Sequence, residues 1–321
     1  MEKRWTMGNS ALRDLAVIND KALSEYSGHV AVDAHHWLYK YITGTTRYID
    51  PDRYTTEDGT EVANLIALYR GLPTLLRSDL TPVFIFDGEA HDLKEDTIED
   101  RREVKQEAKQ KMKQAEKEGD TEAIRRYKSQ THSLNKTIQQ TSRKFLDAVG
   151  VPYLEAGGSG EGYASLLTQA GITDYVMTDD YDSLLFGAPI TIRQYSGSGP
   201  TEEMDLEKTL DKYSIRQEDL IDIALLCGTD FNDGVRGIGP KRAVQKISGG
   251  KSASEVAENK GTSIPGLEEL RSLFLEPDLN DLPSTKPNRK KPDFEALRDL
   301  SETWEIPTST IEDNIIRFPR Y

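Results

Sequence analysis

Residues 82–87 read Pro82-Val-Phe-Ile-Phe86-Asp87, and residues 29–33 read His29-Val-Ala-Val-Asp33. Both are short apolar runs in which polar residues do not alternate, and each closes on a carboxylate. A run of this kind reads as a strand buried on both faces, as in a parallel sheet covered by helices. Three further runs follow the same rule: 151–154 (VPYL), 174–177 (DYVM) and 189–193 (PITIR). Helical patterns separate them over 64–76, 97–149 and 162–169. The alternation predicts a three-layer α/β fold, a mostly parallel central sheet flanked by helices.

Past the fifth strand the pattern changes. Residues 206–213 and 217–227 read as helices, and Pro240 opens another that runs to 247. Helices are also expected near 266–273, 294–302 and 309–317, with an exposed Pro-, Asp- and Lys-rich loop over 276–292. The expected organisation is an α/β core over 1–215, containing a helical excursion at about 94–147, and a helical region over 216–321 packed on it.

The chain has 321 residues with 41 Lys+Arg against 55 Asp+Glu, a net charge of −14. No stretch approaches the roughly 18 apolar residues that span a bilayer, and the start carries no signal-peptide run. An intracellular protein without a membrane partner is expected. The lone Cys227 excludes an intrachain disulfide and a multi-cysteine zinc site. An acidic sum argues against a nucleic-acid partner, but the charge is uneven. Residues 101–145 hold 13 Lys/Arg and 6 Asp/Glu, a local +7 that leaves −21 for the rest. This segment is poor in large apolar residues, so it reads as a solvated helical arm rather than a core helix. It is either a plain charged hairpin or a basic arch along a phosphate backbone.

Carboxylates stand at the ends of the predicted strands. Asp33 closes one, Asp87 follows another, and Asp180 and Asp182 follow the run at 174–177, two apart and so on one side of extended chain. Strand ends of an open α/β sheet border the ligand crevice. Asp230 follows a helix that Gly228 stops, and Glu161 stands near the start of another. Carboxylates that converge without basic partners repel, and such a cluster serves mainly to hold cations. Oxygen ligands without His or Cys suit Mg²⁺ or Mn²⁺ better than zinc, and a pair of such ions serves phosphate chemistry. No Walker loop is present, which disfavours triphosphate hydrolysis.

The second feature is Gly237-Ile238-Gly239-Pro240-Lys241-Arg242-Ala243. Glycines let backbone amides approach a phosphate, Pro240 pre-sets a helical turn, and a helix N-terminus attracts an anion. Lys241 and Arg242 add positive charge beside it. Such a turn between helices grips a duplex backbone without reading bases.

With these motifs the sequence resembles the flap endonuclease/XPG family of structure-specific 5′ nucleases, close to the archaeal type. The resemblance runs from about Met7 onward. It rests on VAVDAHHWLYKY (30–41), PVFIFDG (82–88), GEGYASLL (160–167), TDDYDSLLFGAP (178–189), LLCGTDFN (225–232) and GVRGIGPKRA (234–243), in family order. It implies a PIN-like nuclease core with a helical arch and a helix-two-turn-helix duplex clamp. It also implies two-metal hydrolysis of DNA at 5′ flaps or single-strand/double-strand junctions in replication and repair, with two Mg²⁺ ions or Mn²⁺ in their place. The implied metal ligands are Asp33, Asp87, Glu161, Asp180, Asp182 and Asp230. Lys94 and Arg101 match the basic pair that faces the scissile phosphate, and Tyr39 matches an aromatic that stacks on a base. Gly237, Ile238 and Gly239 match a turn that binds K⁺ and duplex phosphate, beside Lys241 and Arg242.

The chain departs from the family pattern in places. Ser159 stands where the family has a first glutamate, so weaker metal binding or a slower rate is expected. Glu155 is four residues early and is expected to face elsewhere. Six residues precede Met7-Gly8, where the family begins. The end, Ile315 to Tyr321, lacks the peptide that docks relatives on the sliding clamp, so a clamp contact is not expected and a monomer is. His35 and His36 either touch metal or substrate, or pack and hydrogen-bond. An alternative stays open: a catalytically weakened junction-binding protein that has lost the ligand at Ser159.

Overall fold

Asp33 ends one element and begins the next, and that junction organises the molecule. The computed structural model describes residues 10–49, 53–88, 134–194, 201–277 and 279–319. Strands β1 (Val17–Lys21), β2 (Gly28–Asp33), β3 (Leu80–Phe86), β4 (Tyr153–Glu155), β5 (Tyr175–Met177), β6 (Ile190–Gln194) and β7 (Thr201–Asp205) form one sheet. Its order is β1-β7-β6-β5-β2-β3-β4. The five predicted strands are there and lie parallel, β2 between β3 and β5.

The prediction did not include β1 and β7, which pair antiparallel with each other, β7 also running antiparallel to β6. The sheet is therefore mixed. Both are edge-side strands of polar sequence, VINDK and TEEMD. A strand half covered on one face carries no continuous apolar run.

The helices among the described residues are α1 (Ser10–Arg13), α2 (Ala34–Thr46), α3 (Ala63–Leu76), α4 (Lys136–Ala148), α5 (Gly160–Gln169), α6 (Leu206–Tyr213), α7 (Gln217–Cys227), α8 (Pro240–Ile247), α9 (Ala253–Glu258), α10 (Leu267–Leu275), α11 (Phe294–Thr303) and α12 (Thr308–Ile315). Helix α3 is apolar nearly all round and correspondingly buried, as a helix enclosed by its neighbours must be. It packs on α2, α4 and α12.

Helix α4 corrects the expectation of a wholly solvated basic arm. Ile138, Phe145 and Leu146 are buried in the main core. Asn64 of α3 donates from Nδ2 to Ile138 O (3.1 Å), Thr141 Oγ1 (2.9 Å) and Ser142 Oγ (2.9 Å). Apolar residues at helical spacing within a sparse composition sufficed to bury one face.

A second core joins α7 to α10 with Leu12 and Leu15 near the N-terminus and with Leu184 and Leu185 beyond β5. Residues 276–293 then carry the chain back to the first core, where Leu297, Ile311 and Phe318 are buried. Its described residues are mostly exposed, as expected, and it is pinned to the β4 side. Asn280 N donates to Ala156 O at 2.9 Å, Lys290 N to Gly150 O at 2.7 Å and Asp293 N to Ala148 O at 2.7 Å. Among the described residues, no helix is long and apolar enough to cross a membrane.

Candidate active site

Asp33 caps α2: its Oδ1 accepts from His36 N at 2.9 Å, satisfying a donor that the first helical turn leaves open. The residue is buried, 7% exposed. Burial first, and then the charge of Asp87, hold its carboxyl above the ordinary aspartate range. Asp87, the residue immediately after β3, is held from two sides. Its Oδ1 accepts from Gly160 N at 2.7 Å, and its Oδ2 lies 2.5 Å from His35 Nδ1. A Cβ on Gly160 would meet Asp87 Oδ1 at 2.5 Å, so the approach requires glycine.

Glu161, in the first turn of α5, accepts from Thr178 Oγ1 at 3.2 Å. Thr178 Oγ1 also accepts from Asp180 N at 3.2 Å, and Asp180 Oδ1 accepts from Asp182 N at 3.2 Å. Asp33 ends β2, Asp87 follows β3, Glu161 lies in the helix after β4, and Asp180 and Asp182 follow β5; Gly160 and Thr178 link all of these except Asp33. Asp230 stands in a separate turn after α7, where Thr229 N donates to Asn232 O at 2.9 Å.

A buried carboxyl raised by burial and by a neighbouring carboxylate fits a cation beside it, and an oxygen donor set fits a hard divalent ion. Among the described residues, no three His, Cys, Asp or Glu side chains stand in ligand geometry. Amides, hydroxyls and imidazoles hold the carboxylates instead.

Asp179 was not among the expected site residues. Its Oδ2 lies 2.7 Å from Lys40 Nζ and 3.3 Å from His36 Nε2. Burial alone would raise its pKa, but the His36 hydrogen bond and the Lys40 charge outweigh it and hold the carboxyl at about 2. The detectable signal was His36 and Lys40 themselves, four apart and so on one helix face. Burial pulls the His36 and His35 imidazoles down, but the partner carboxylates carry both above the ordinary histidine value. Both histidines therefore have hydrogen-bonding roles here.

Ser159 is the N-cap of α5, its Oγ accepting from Gly162 N at 3.2 Å. Glu155 is occupied by Arg143, with Nε to Oε1 at 2.7 Å and Nη2 to Oε2 at 2.9 Å. Arg143 also lies over the Phe86 ring, 4.2 Å from its centroid. Tyr39 lies half-buried on α2. Lys94, Arg101, Met7, Gly8 and most of the expected arch lie outside the described residues.

In the turn before α8, Gly237 has φ +81° and is exposed, a conformation that favours glycine. Arg242 Nη1 donates to Gly237 O at 2.9 Å. Ile238 is buried in the second core, so it anchors the turn and leaves its backbone for contacts. Gly239 is the N-cap of α8, with Pro240 after it. Lys241 and Arg242 are exposed.

A parallel-centred sheet with carboxylates beyond adjacent strand ends, joined to a glycine turn before a basic helix, defines an α/β nuclease of the PIN type. The XPG N-terminal domain model matches residues 9–108 and the XPG I-region model residues 150–230. Flap endonuclease 1 of Haloquadratum walsbyi is 42% identical over 308 residues, 95% of this chain and 94% of that protein. That of Haloarcula marismortui is 41% identical over 95% of this chain and 94% of its own length. The solved flap endonuclease-1 from Methanococcus jannaschii superposes with a TM-score of 0.74 at 30% identity, covering 97% of each chain. The catalytic core of Rad2 in complex with DNA substrate shares the fold, with a TM-score of 0.72 at 20% identity over 96% of this chain and 99% of that one. The chain belongs to the flap endonuclease/XPG family of structure-specific nucleases.

Proposed function

We propose that the chain cuts DNA at the single-strand/double-strand junction of a 5′ flap in replication and repair, leaving a 5′-phosphate and a 3′-hydroxyl. The observation that carries this reading is the set of carboxylates at the ends of β2, β3 and β5 and in the helix after β4, with Asp33 buried beside the charge of Asp87. Asp33, Asp87, Glu161, Asp180, Asp182 and Asp230 would hold two Mg²⁺ ions, with Mn²⁺ as a substitute. When bound, such a pair activates water and stabilises the leaving oxygen.

The chain's own groups do the rest. Gly160 N and His35 fix the direction of the Asp87 carboxylate. Lys94 and Arg101 would neutralise the scissile phosphate, and Tyr39 would stack on a base beside it. The duplex would lie on the turn at 237–239, where K⁺ would share the carbonyls and Lys241 and Arg242 would meet phosphates. The chain would act as a monomer inside the cell, and a clamp contact forms no part of this reading.

Labelled 5′-flap, nicked and bubble DNAs incubated with Mg²⁺, Mn²⁺ or EDTA test it. The expected result is metal-dependent cutting, strongest at the flap. An intact flap with the natural chain, beside cutting by Ser159→Glu, would sink it. That outcome would favour the second reading, a junction binder without turnover, which Ser159 at a helix cap supports.

A further inference from the structure

Beside the carboxylates, the loop after β5 is anchored at one residue by both its backbone and its side chain. Asp179 O accepts from Arg193 Nε at 3.1 Å. The guanidinium of Arg193 is itself fixed, with Nη1 donating to Tyr181 Oη at 2.6 Å and to Glu202 Oε2 at 2.6 Å. This ties the loop to β6 and β7. On the opposite side the Asp179 carboxylate takes Lys40 at 2.7 Å and His36 at 3.3 Å, both from α2. Asp33 caps that same helix through the amide of His36. Asp180 and Asp182 follow immediately on the loop.

We propose that Asp179 is a positioning residue for the nuclease reaction: through Lys40 and His36 it fixes the loop carrying Asp180 and Asp182 against the helix that begins at Asp33. This rests on the nuclease reading above. Lys40 and Asp179 are both largely covered, with side chains 26% and 23% exposed. The pair is therefore screened less than a surface one. A free loop would let the two carboxylates on it drift relative to Asp33. Charges that repel one another need such an external restraint before any cation is bound. The restraint uses a carboxylate that holds no metal, in the way that outer groups orient ligands at metal centres.

The test compares the full chain with Asp179→Asn, Lys40→Met and Lys40→Arg. Amide exchange of Asp182 to Phe186 should speed up about tenfold in Asp179→Asn and in Lys40→Met, about 1.4 kcal/mol of lost restraint. Lys40→Arg, which preserves the pair, should exchange like the parent. On the 5′-flap substrate, kcat should fall about tenfold in the first two variants, with KM and DNA affinity within about twofold of the parent. Unchanged exchange overturns the proposal whatever the activity. A loss confined to KM also overturns it, because it would make Lys40 a DNA contact. If Asp179→Asn does not fold, Lys40→Met carries both readouts. A parent that cuts no flap sinks the nuclease reading separately, and the exchange arm still decides the restraint.

Discussion

Ser159 Oγ accepts the amide proton of Gly162 at 3.2 Å, the bond that starts α5. The residue expected to stand in place of a family carboxylate therefore has a task of its own. Losing a serine cap costs about 1 kcal/mol. Ser159→Ala should lower stability in urea by about that amount, while flap cutting stays within about twofold of the parent. A loss of cutting as large as that of Asp180→Ala would mean that the hydroxyl serves the metals and not the helix.

Much of the fold was readable because the strands at its centre are covered on both faces. Val30, Ala31 and Val32 of β2 and Phe84, Ile85 and Phe86 of β3 are fully buried, so nothing interrupts their apolar runs. Strands β1 and β7 were illegible because Asn19, Asp20, Glu202 and Glu203 break the pattern, and they are held by ladder bonds to each other and, for β7, to β6. Helix α2 was hidden for a different reason. It begins at the residue that ends a strand, and its Trp37, Tyr39 and Tyr41 favour strands as readily as helices. In the site, the carboxylates stood out by type and spacing. Their restraints did not, since Gly160 N, Thr178 and Asp179 act through contacts made only when distant segments meet.

Gly160 makes one of those contacts by lacking a side chain. An alanine Cβ would stand 2.5 Å from Asp87 Oδ1, well inside contact distance. Gly160→Ala should fold, because a helix start accepts alanine, yet Asp87 must swing away. Flap cutting is expected to fall about tenfold or more, and the melting temperature to move by only a few degrees. Parent-level cutting would show that Asp87 does not need its present direction.

The single thiol gives a pH dependence. Burial pushes Cys227 up from 9.0 to about 12. The folded chain then keeps the proton that the unfolded chain has released, so between these values stability falls as pH rises. Below pH 9 the thiol contributes no slope. Urea midpoints should therefore drop more steeply between pH 9 and pH 11 in the parent than in Cys227→Ala. Iodoacetamide should react slowly with the folded chain at pH 8 and rapidly after unfolding. Fast labelling of the native protein would refute the shift.

Asp222 and Arg271 join the helices of the second core. Arg271 Nε and Nη2 donate to Asp222 Oδ1 at 2.7 Å and Oδ2 at 2.6 Å, and Ala253 N donates to Oδ2 at 3.3 Å. Asp222→Ala would leave a half-covered guanidinium and a helix-start amide without their acceptor. A loss of about 3 kcal/mol is expected. Arg271→Met in the same background should recover part of it, since the stranded charge goes too. Equal stability of Asp222→Ala and the parent would show that the pair adds nothing net.

Lys241 tests the duplex clamp without touching the chemistry. It is exposed on α8 beside the left-handed Gly237, while Arg242 is already directed to Gly237 O at 2.9 Å. If Lys241 meets a phosphate, removing it releases about one fewer counterion on binding. Lys241→Ala should then weaken binding to flapped and plain duplex DNA alike, and reduce the slope of log K against log salt by about 1. Single-turnover cutting at saturating DNA should keep the parent's rate, because the proposed role of Lys241 is to bind duplex phosphate and not to hold metal. A slope identical to the parent's would move the duplex off this turn. A drop in the saturated rate would instead place Lys241 in the reaction itself.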